Sequence, residues 1–271
     1  MRREAVMNQN DYFSQKMQRE YMSTSQFKAF MNCSAKAMAE ICGAYEQPNK
    51  EVFLAGHMFE ALVSGNPDIF YEMHPEIISS QGKTKGNVKS NFIKVIDAAE
   101  AFNKQKVFRK IVDRCEKQVF VSGTIAGVKF KGILDLYDPK TGEIYDTKCM
   151  KDFSDTYSES EGRRVAWWQN FGYHYQAAIY CELVRQTFKN DPTFSLIAAS
   201  KETVPDVAYI KFNNEYLRNV MDIIEENVPL YQAIKEGMIE PERCEKCDYC
   251  RKTKIINLPE LIECAEVYEN D

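Results

Sequence analysis

After Cys115 the chain alternates apolar and polar residues with period two, in runs rich in β-branched and aromatic side chains: QVFVSG, AGVKFKGILDLYD and EIYDTKCM. Turns are marked at Gly123, at Gly127 and across Pro139 to Gly142, so the pattern predicts a three-stranded antiparallel meander. Before it, the apolar spacing is helical. Ser23 or Ser25 can cap a helix carrying Phe27, Phe30 and Met38 up to Gly43, and a second helix spans roughly Glu51 to Ser64. Residues 79–90, SSQGKTKGNVKS, predict a mobile loop ahead of helix to about Arg114. After the meander the period predicts a long helix from about Arg163 to Phe188, short strands FSLIAAS and VAYIKF, and a helix from about Asn214 to Glu236. Residues 1–22 show no sustained period and predict a poorly ordered arm, 23–240 a single globular domain, and 241–271 a Cys-rich tail whose Leu258, Leu261 and Ile262 pack on the body.

The meander carries the chemistry. Asp135 ends GILD on the second strand and Asp146 opens D-T-K on the third, so one hairpin brings two carboxylates together. Asp146 and Lys148, at i and i+2, point to one face while Thr147 points away. A surface ion pair would account for D-x-K alone, but GILDLY and EIYDTKCM read as interior strands, where charge is costly and usually kept for function. Converging carboxylates repel unless a cation lies between them, and hard oxygen ligands suit Mg²⁺ or Mn²⁺. Such a metal polarises a phosphate and activates water while the lysine steadies developing charge.

Composition narrows this reading. A net charge of −5 rules out bulk electrostatic attraction to nucleic acid, so any phosphate contacts must be local. Lys83, Lys85, Lys89, Lys151, Arg163 and Arg164 are the candidates, and Trp167 and Trp168 could stack on a base, although paired aromatics are more often core. No run is long and apolar enough to span a membrane and no secretory h-region opens the chain, which predicts a cytoplasmic protein. Nine cysteines then read as thiols or metal ligands. Cys244, Cys247 and Cys250 form C-x-x-C-x-x-C, suited to zinc or an iron–sulfur cluster once a fourth ligand is found, with Cys264 the local candidate. Cysteines 42, 115, 149 and 181 lie in apolar patterns and predict core. His74 and His174 have no partner pattern.

The order of elements, with GILD and DTK on the central hairpin, resembles the PD-(D/E)XK nuclease superfamily from about Ser23 to Cys250. That resemblance implies an α/β restriction-endonuclease-like core, a central mixed sheet in αβββαβ order with extra terminal helices. It assigns Asp135, Asp146 and the Thr147 carbonyl to a metal and Lys148 to catalysis. Gln176 and Tyr180, sharing a helix face in YQAAIY, resemble the QxxxY signature, which implies contacts to the nucleotide or the lysine. A-G-H-M-F-E resembles the first family motif and implies His57 as a further ligand, with Glu60 one turn later the less favoured alternative. Within the superfamily the chain looks most like the RecE-type phage and prophage exonucleases, relatives of lambda exonuclease. This implies 5′–3′ digestion of duplex DNA ends in recombination, a homo-oligomeric ring and a single-strand annealing partner. Other branches, the AddB-type and CRISPR adaptation nucleases, clasp a 4Fe–4S cluster with one early and three late cysteines, which implies Cys33 as the fourth ligand. The alternatives are an iron–sulfur nuclease acting on single strands or processing ends, and an inactive DNA-binding or scaffold module.

Overall fold

A computed structural model describes residues 12–46, 50–158 and 162–256. The alternation after Cys115 folds as expected into strands β1 (Glu116–Ile125), β2 (Val128–Asp138) and β3 (Glu143–Met150). Later come β6 (Thr193–Ser200) and β7 (Val207–Lys211), with a separate hairpin between, β4 (Thr156–Ser158) and β5 (Arg163–Val165). The main sheet has the order β1-β2-β3-β6-β7, antiparallel except for the parallel β3–β6 pair, so it is mixed.

Helices cover both faces. α1 (Gln15–Glu20), α2 (Thr24–Asn32), α3 (Ser34–Ile41), α4 (Lys50–Ser64), α5 (Pro67–Met73), α6 (Ser90–Asn103) and α7 (Lys106–Arg114) precede the sheet. α8 (Trp167–Asn170), α9 (Tyr173–Phe188), α10 (Asn214–Lys235) and α11 (Asp248–Lys252) follow it. Strand β6 shows how one sequence feeds two cores: Phe194, Leu196 and Ala198 enter the core under α9 and α10, while Ile197 and Ala199 enter the core under α4, α6 and α7. Burial on both faces explains its near-continuous apolar run.

Several boundaries differ from the sequence reading. Residues 12–22 are no loose arm: Tyr12 is buried, Ser14 caps α1, and fully buried Met22 exchanges backbone hydrogen bonds with Lys129 and Lys131 of β2. The first eleven residues lie outside the described chain. The helix expected up to Gly43 breaks at Cys33, whose extended backbone ends α2 and caps α3. Arg163 begins no helix, because it pairs with Ser158 in the small hairpin. α9 starts only after Gly172, which takes a left-handed conformation natural to glycine. The loop at 79–90 is pinned at its base by an Ile78–Val88 bridge. Cys115 and Cys181 are buried, but Cys42 at the end of α3 is exposed rather than core. Leu258, Leu261, Ile262 and Cys264 lie outside the described residues.

Candidate active site

The β2–β3 ladder pairs Asp138 with Glu143, Tyr137 with Ile144 and Leu136 with Tyr145, and stops there. The residues that would pair next are Asp135 and Asp146. On the other edge of β2, Lys117 pairs with Leu136 and Val119 with Leu134, leaving Gln118 out of the register with a left-handed φ of 54°. The alternation slips at the same place, since Leu134 and Leu136 share parity yet enter opposite cores. A non-glycine residue held in this region costs on the order of 1 kcal/mol, a strain that tends to collect at functional sites.

The opening exposes backbone groups that side chains then take up. Asp135 Oδ2 accepts from the Thr147 amide at 2.9 Å and from its hydroxyl at 3.2 Å. Asp146 is nearly fully buried, and its Oδ1 accepts from Gln176 Nε2 of α9 at 2.6 Å. Asp146 Oδ2 meets Lys148 Nζ as an ion pair and accepts no other hydrogen bond. Lys148 Nζ also lies 3.9 Å from Asp135 Oδ2 and donates to the Thr147 carbonyl at 3.2 Å. The lysine therefore bridges both carboxylates, as the i, i+2 spacing suggested.

From the opposite face α4 delivers Glu60. A cavity between α4 and the opened strands is lined by Glu60, Gln118, Asp135 and Thr147, and Gln118 Nε2 donates to Glu60. His57, on the same helix, does not line this cavity and is exposed. Desolvation and the charge of His74 lower its proton affinity, with Asp135 opposing.

The electrostatics follow from crowding. Burial, then the Asp135 charge, pushes Glu60 up to about 8. Burial raises Asp146 to about 6 despite Lys148 beside it. Burial lowers the proton affinity of Lys148, but the charges of Asp146 and Asp135 outweigh it and hold the proton firmly. Two carboxylates pair with one lysine and the charge of Asp135 also reaches Glu60, an excess of negative charge that a divalent cation would balance. The buried, singly paired Asp146 Oδ2 and the protonated tendency of Glu60 fit such a cation.

Tyr180 makes no hydrogen bond to the lysine, although the charges of Asp146, Asp135 and Lys148 act on its hydroxyl. It is buried against β2, where a Cβ on Gly132 would come within 2.7 Å of its ring, so the glycine makes room for it. Burial raises its hydroxyl well above the usual range. Trp167 packs on Phe153 and Tyr173, and Trp168 on Phe212 and Tyr216, so both belong to the core rather than to a stacking platform. Lys83, Lys85, Lys89, Arg163 and Arg164 are exposed, and Lys151 pairs with Asp152 at 3.8 Å. His74 bonds Glu76 at 3.1 Å, and partly buried His174 lies between Trp168 and Tyr175, its pKa lowered to about 4 by burial.

The sequence reading missed three neighbours, Lys28, Tyr173 and Gln118. Lys28 of α2 donates to the Phe171 carbonyl at 3.3 Å and, like Lys148, lies over the Tyr173 ring. Burial and the Lys148 charge lower Lys28 to about 8. Gln118 is the third. No spacing marks any of them, because each reaches the site through tertiary packing.

Away from this cleft, Cys33 meets Cys244, Cys247 and Cys250, all four sulfurs lying within 4.8 Å of one another. No helix among the described residues is long and apolar enough to cross a membrane.

Compared with known structures, the chain is similar to a protein from Eubacterium rectale described as a presumed exonuclease: 29% identity over 96% of this chain and 98% of that one, TM-score 0.85. A second structure, SSO0001, gives 13% identity over 83% of this chain and 91% of that one with a TM-score of 0.30, too slight to argue from. No curated protein matches the chain. Residues 23–253, which span the opened hairpin and all four clustered cysteines, match one family model, and the chain belongs to that family, the PDDEXK-like domain of unknown function (DUF3799).

Proposed function

We propose that the protein is a divalent-metal-dependent deoxyribonuclease with Asp135, Asp146 and Glu60 as its metal-binding carboxylates and Lys148 as its catalytic lysine. The observation that carries this is the opened β2–β3 ladder, which releases two carboxylates and a lysine into one gap instead of pairing them across a sheet. Glu60 replaces His57 as the helix-borne ligand, because the carboxylate shares the cavity with Asp135 and the imidazole does not. The Thr147 carbonyl, directed at Lys148 Nζ, completes the oxygen set.

Mg²⁺ or Mn²⁺ bound there would polarise the scissile phosphate and lower the pKa of an attacking water. The chain's own groups prepare that site. The Thr147 amide fixes Asp135, Gln176 fixes Asp146, and Lys148 stays charged to stabilise negative charge developing on the phosphate. Gln176 thus acts by positioning a ligand rather than by touching the nucleotide, and Tyr180 supports β2 from beneath.

Exonuclease action on DNA ends is supported by the likeness to the Eubacterium rectale protein. Polarity from 5′ to 3′, a ring assembly and an annealing partner rest on the RecE-type resemblance alone. The test is digestion of linear and covalently closed circular DNA with Mg²⁺ or EDTA, by wild type and by Lys148→Ala. Metal-dependent release of nucleotides from linear DNA only, lost in the variant, is expected. Cutting of circles would make it an endonuclease, and metal-independent or absent digestion would remove the proposal.

A further inference from the structure

The four clustered cysteines are distant in sequence, with Cys33 and Cys250 separated by 217 positions. Cys33 sits at the N-terminus of α3, where its sulfur accepts from the Lys36 amide at 3.5 Å. Cys244 accepts from the Cys247 amide at 3.3 Å, and Cys247 accepts from the Cys250 amide at 3.5 Å while capping α11. Amides directed at sulfur favour thiolate over thiol.

Sulfur spacing separates the two kinds of centre such a set could hold. Zinc–sulfur bonds of about 2.3 Å in a tetrahedron place the sulfurs roughly 3.8 Å apart. Four thiolates on the corners of a 4Fe–4S cube stand about 6 Å apart. Here Cys33 and Cys250 sulfurs are 3.5 Å apart, Cys244 and Cys250 are 3.9 Å apart, and no pair of the four exceeds 4.8 Å. A cube does not fit between them. We infer that Cys33, Cys244, Cys247 and Cys250 form a mononuclear, tetrahedral zinc site, not the iron–sulfur centre suggested by related branches. Between single ions that accept this geometry, zinc binds more tightly than ferrous iron.

The surroundings suit that ion. Four thiolates with Zn²⁺ carry a net double negative charge. Arg243 donates to the Cys250 carbonyl at 2.6 Å, and Lys36 and Lys252 both lie over the Tyr45 ring, which packs on Tyr249 beside the sulfurs. Cys33 and Cys250 are buried, and all four ligands are supplied by the chain, so the site is closed and structural. It ties the start of the fold to its last described helix, and binding there adds to folding free energy.

The test uses the full chain purified without oxygen from cells supplied with both iron and zinc, and it is read independently of nuclease activity. Elemental analysis should find about one zinc per chain with neither iron nor acid-labile sulfide. Cobalt exchanged into the same protein should show the visible absorption of tetrahedral thiolate coordination. Cys33→Ser should lose most of the zinc, whereas Cys42→Ser and Lys148→Ala should keep it. If Cys33→Ser does not fold, the wild-type metal content and cobalt spectrum still decide. Iron in any stoichiometry, or a wild-type chain that binds no metal, overturns the inference.

Discussion

The oxygen-lined cleft and the sulfur-lined corner solve opposite problems. At the corner, three of the sulfurs accept backbone amides and the four converge to within 4.8 Å, so the local backbone holds the ligands together. At the cleft, Asp135 and Asp146 share one bridging lysine with Glu60 in the adjoining cavity, the ladder is opened, and Gln118 is held in a left-handed conformation. One region uses its ligands to hold the fold together, while the other keeps them in tension. That contrast teaches that stability and activity should separate on mutation.

The largest effect belongs to Lys148. Lys148→Ala removes the group facing the developing charge, and DNA digestion should fall about 10³-fold at saturating Mg²⁺. Asp146→Ala should match it in activity but also lower Tm, because Lys148 loses its buried partner and Gln176 loses its acceptor. Initial rates and thermal melts on the same preparations check both. An active Asp146→Ala would move the metal site elsewhere.

Glu60→Gln comes next, with an expected activity loss of about 10²-fold and the opposite effect on stability. A carboxyl raised to about 8 in the folded chain keeps a proton that the unfolded chain gives up near the ordinary value of 4.5. In the metal-free protein the contribution of Glu60 to stability is therefore fully present below that lower value and is lost as pH rises through about 8. Glu60→Gln should flatten this decline and raise Tm above pH 8 in EDTA. Mn²⁺ affinity of the wild type should tighten over the same window, as protons leave Glu60 and then no longer compete. A pH-independent Tm in wild type, or affinity that does not change, would count against Glu60 as a ligand.

The elements that packing periodicity controls were legible: the meander, the β6 strand buried on both faces, α10 ending at Lys235, and the i, i+2 placement of Asp146 and Lys148. What stayed hidden depends on contacts between distant segments. Nothing in the run from Met1 to Met22 shows that Met22 completes the edge of β2, since its ordering comes from Lys129 and Lys131 far along the chain. Glu60 and His57 share a helix face in sequence, and only the packing of the helix on the opened strands puts Glu60 among the residues lining the cavity. Gln118 is silent for the same reason, because its backbone conformation answers to β2 rather than to its neighbours. Tyr180 shares a helix face with Gln176, yet its ring is consumed by the space that Gly132 leaves.

Gln176→Ala should cost less, about tenfold in rate, because Asp146 keeps Lys148 and loses only the bond that sets its orientation. A positioning role predicts that the loss grows when Mg²⁺ is scarce and shrinks when it is abundant, whereas a nucleotide contact would show in KM for DNA at all metal concentrations.

The smallest effect tests whether the cleft extends to α2. Lys28 is anchored at Phe171 and shares the Tyr173 ring with Lys148, so a phosphate beside the reacting one is the contact it is predicted to make. Burial and the Lys148 charge lower it to about 8, so the free protein loses this positive charge as pH rises through that value. KM for DNA should then climb above about pH 8 in the wild type. Lys28→Met should raise KM about three- to tenfold at pH 7, leave kcat nearly unchanged, and abolish the climb. The variant should also show a salt dependence of binding shallower by about one phosphate contact. An unaltered salt slope with the same KM would confine substrate recognition to the opened hairpin and leave Lys28 a purely packed residue.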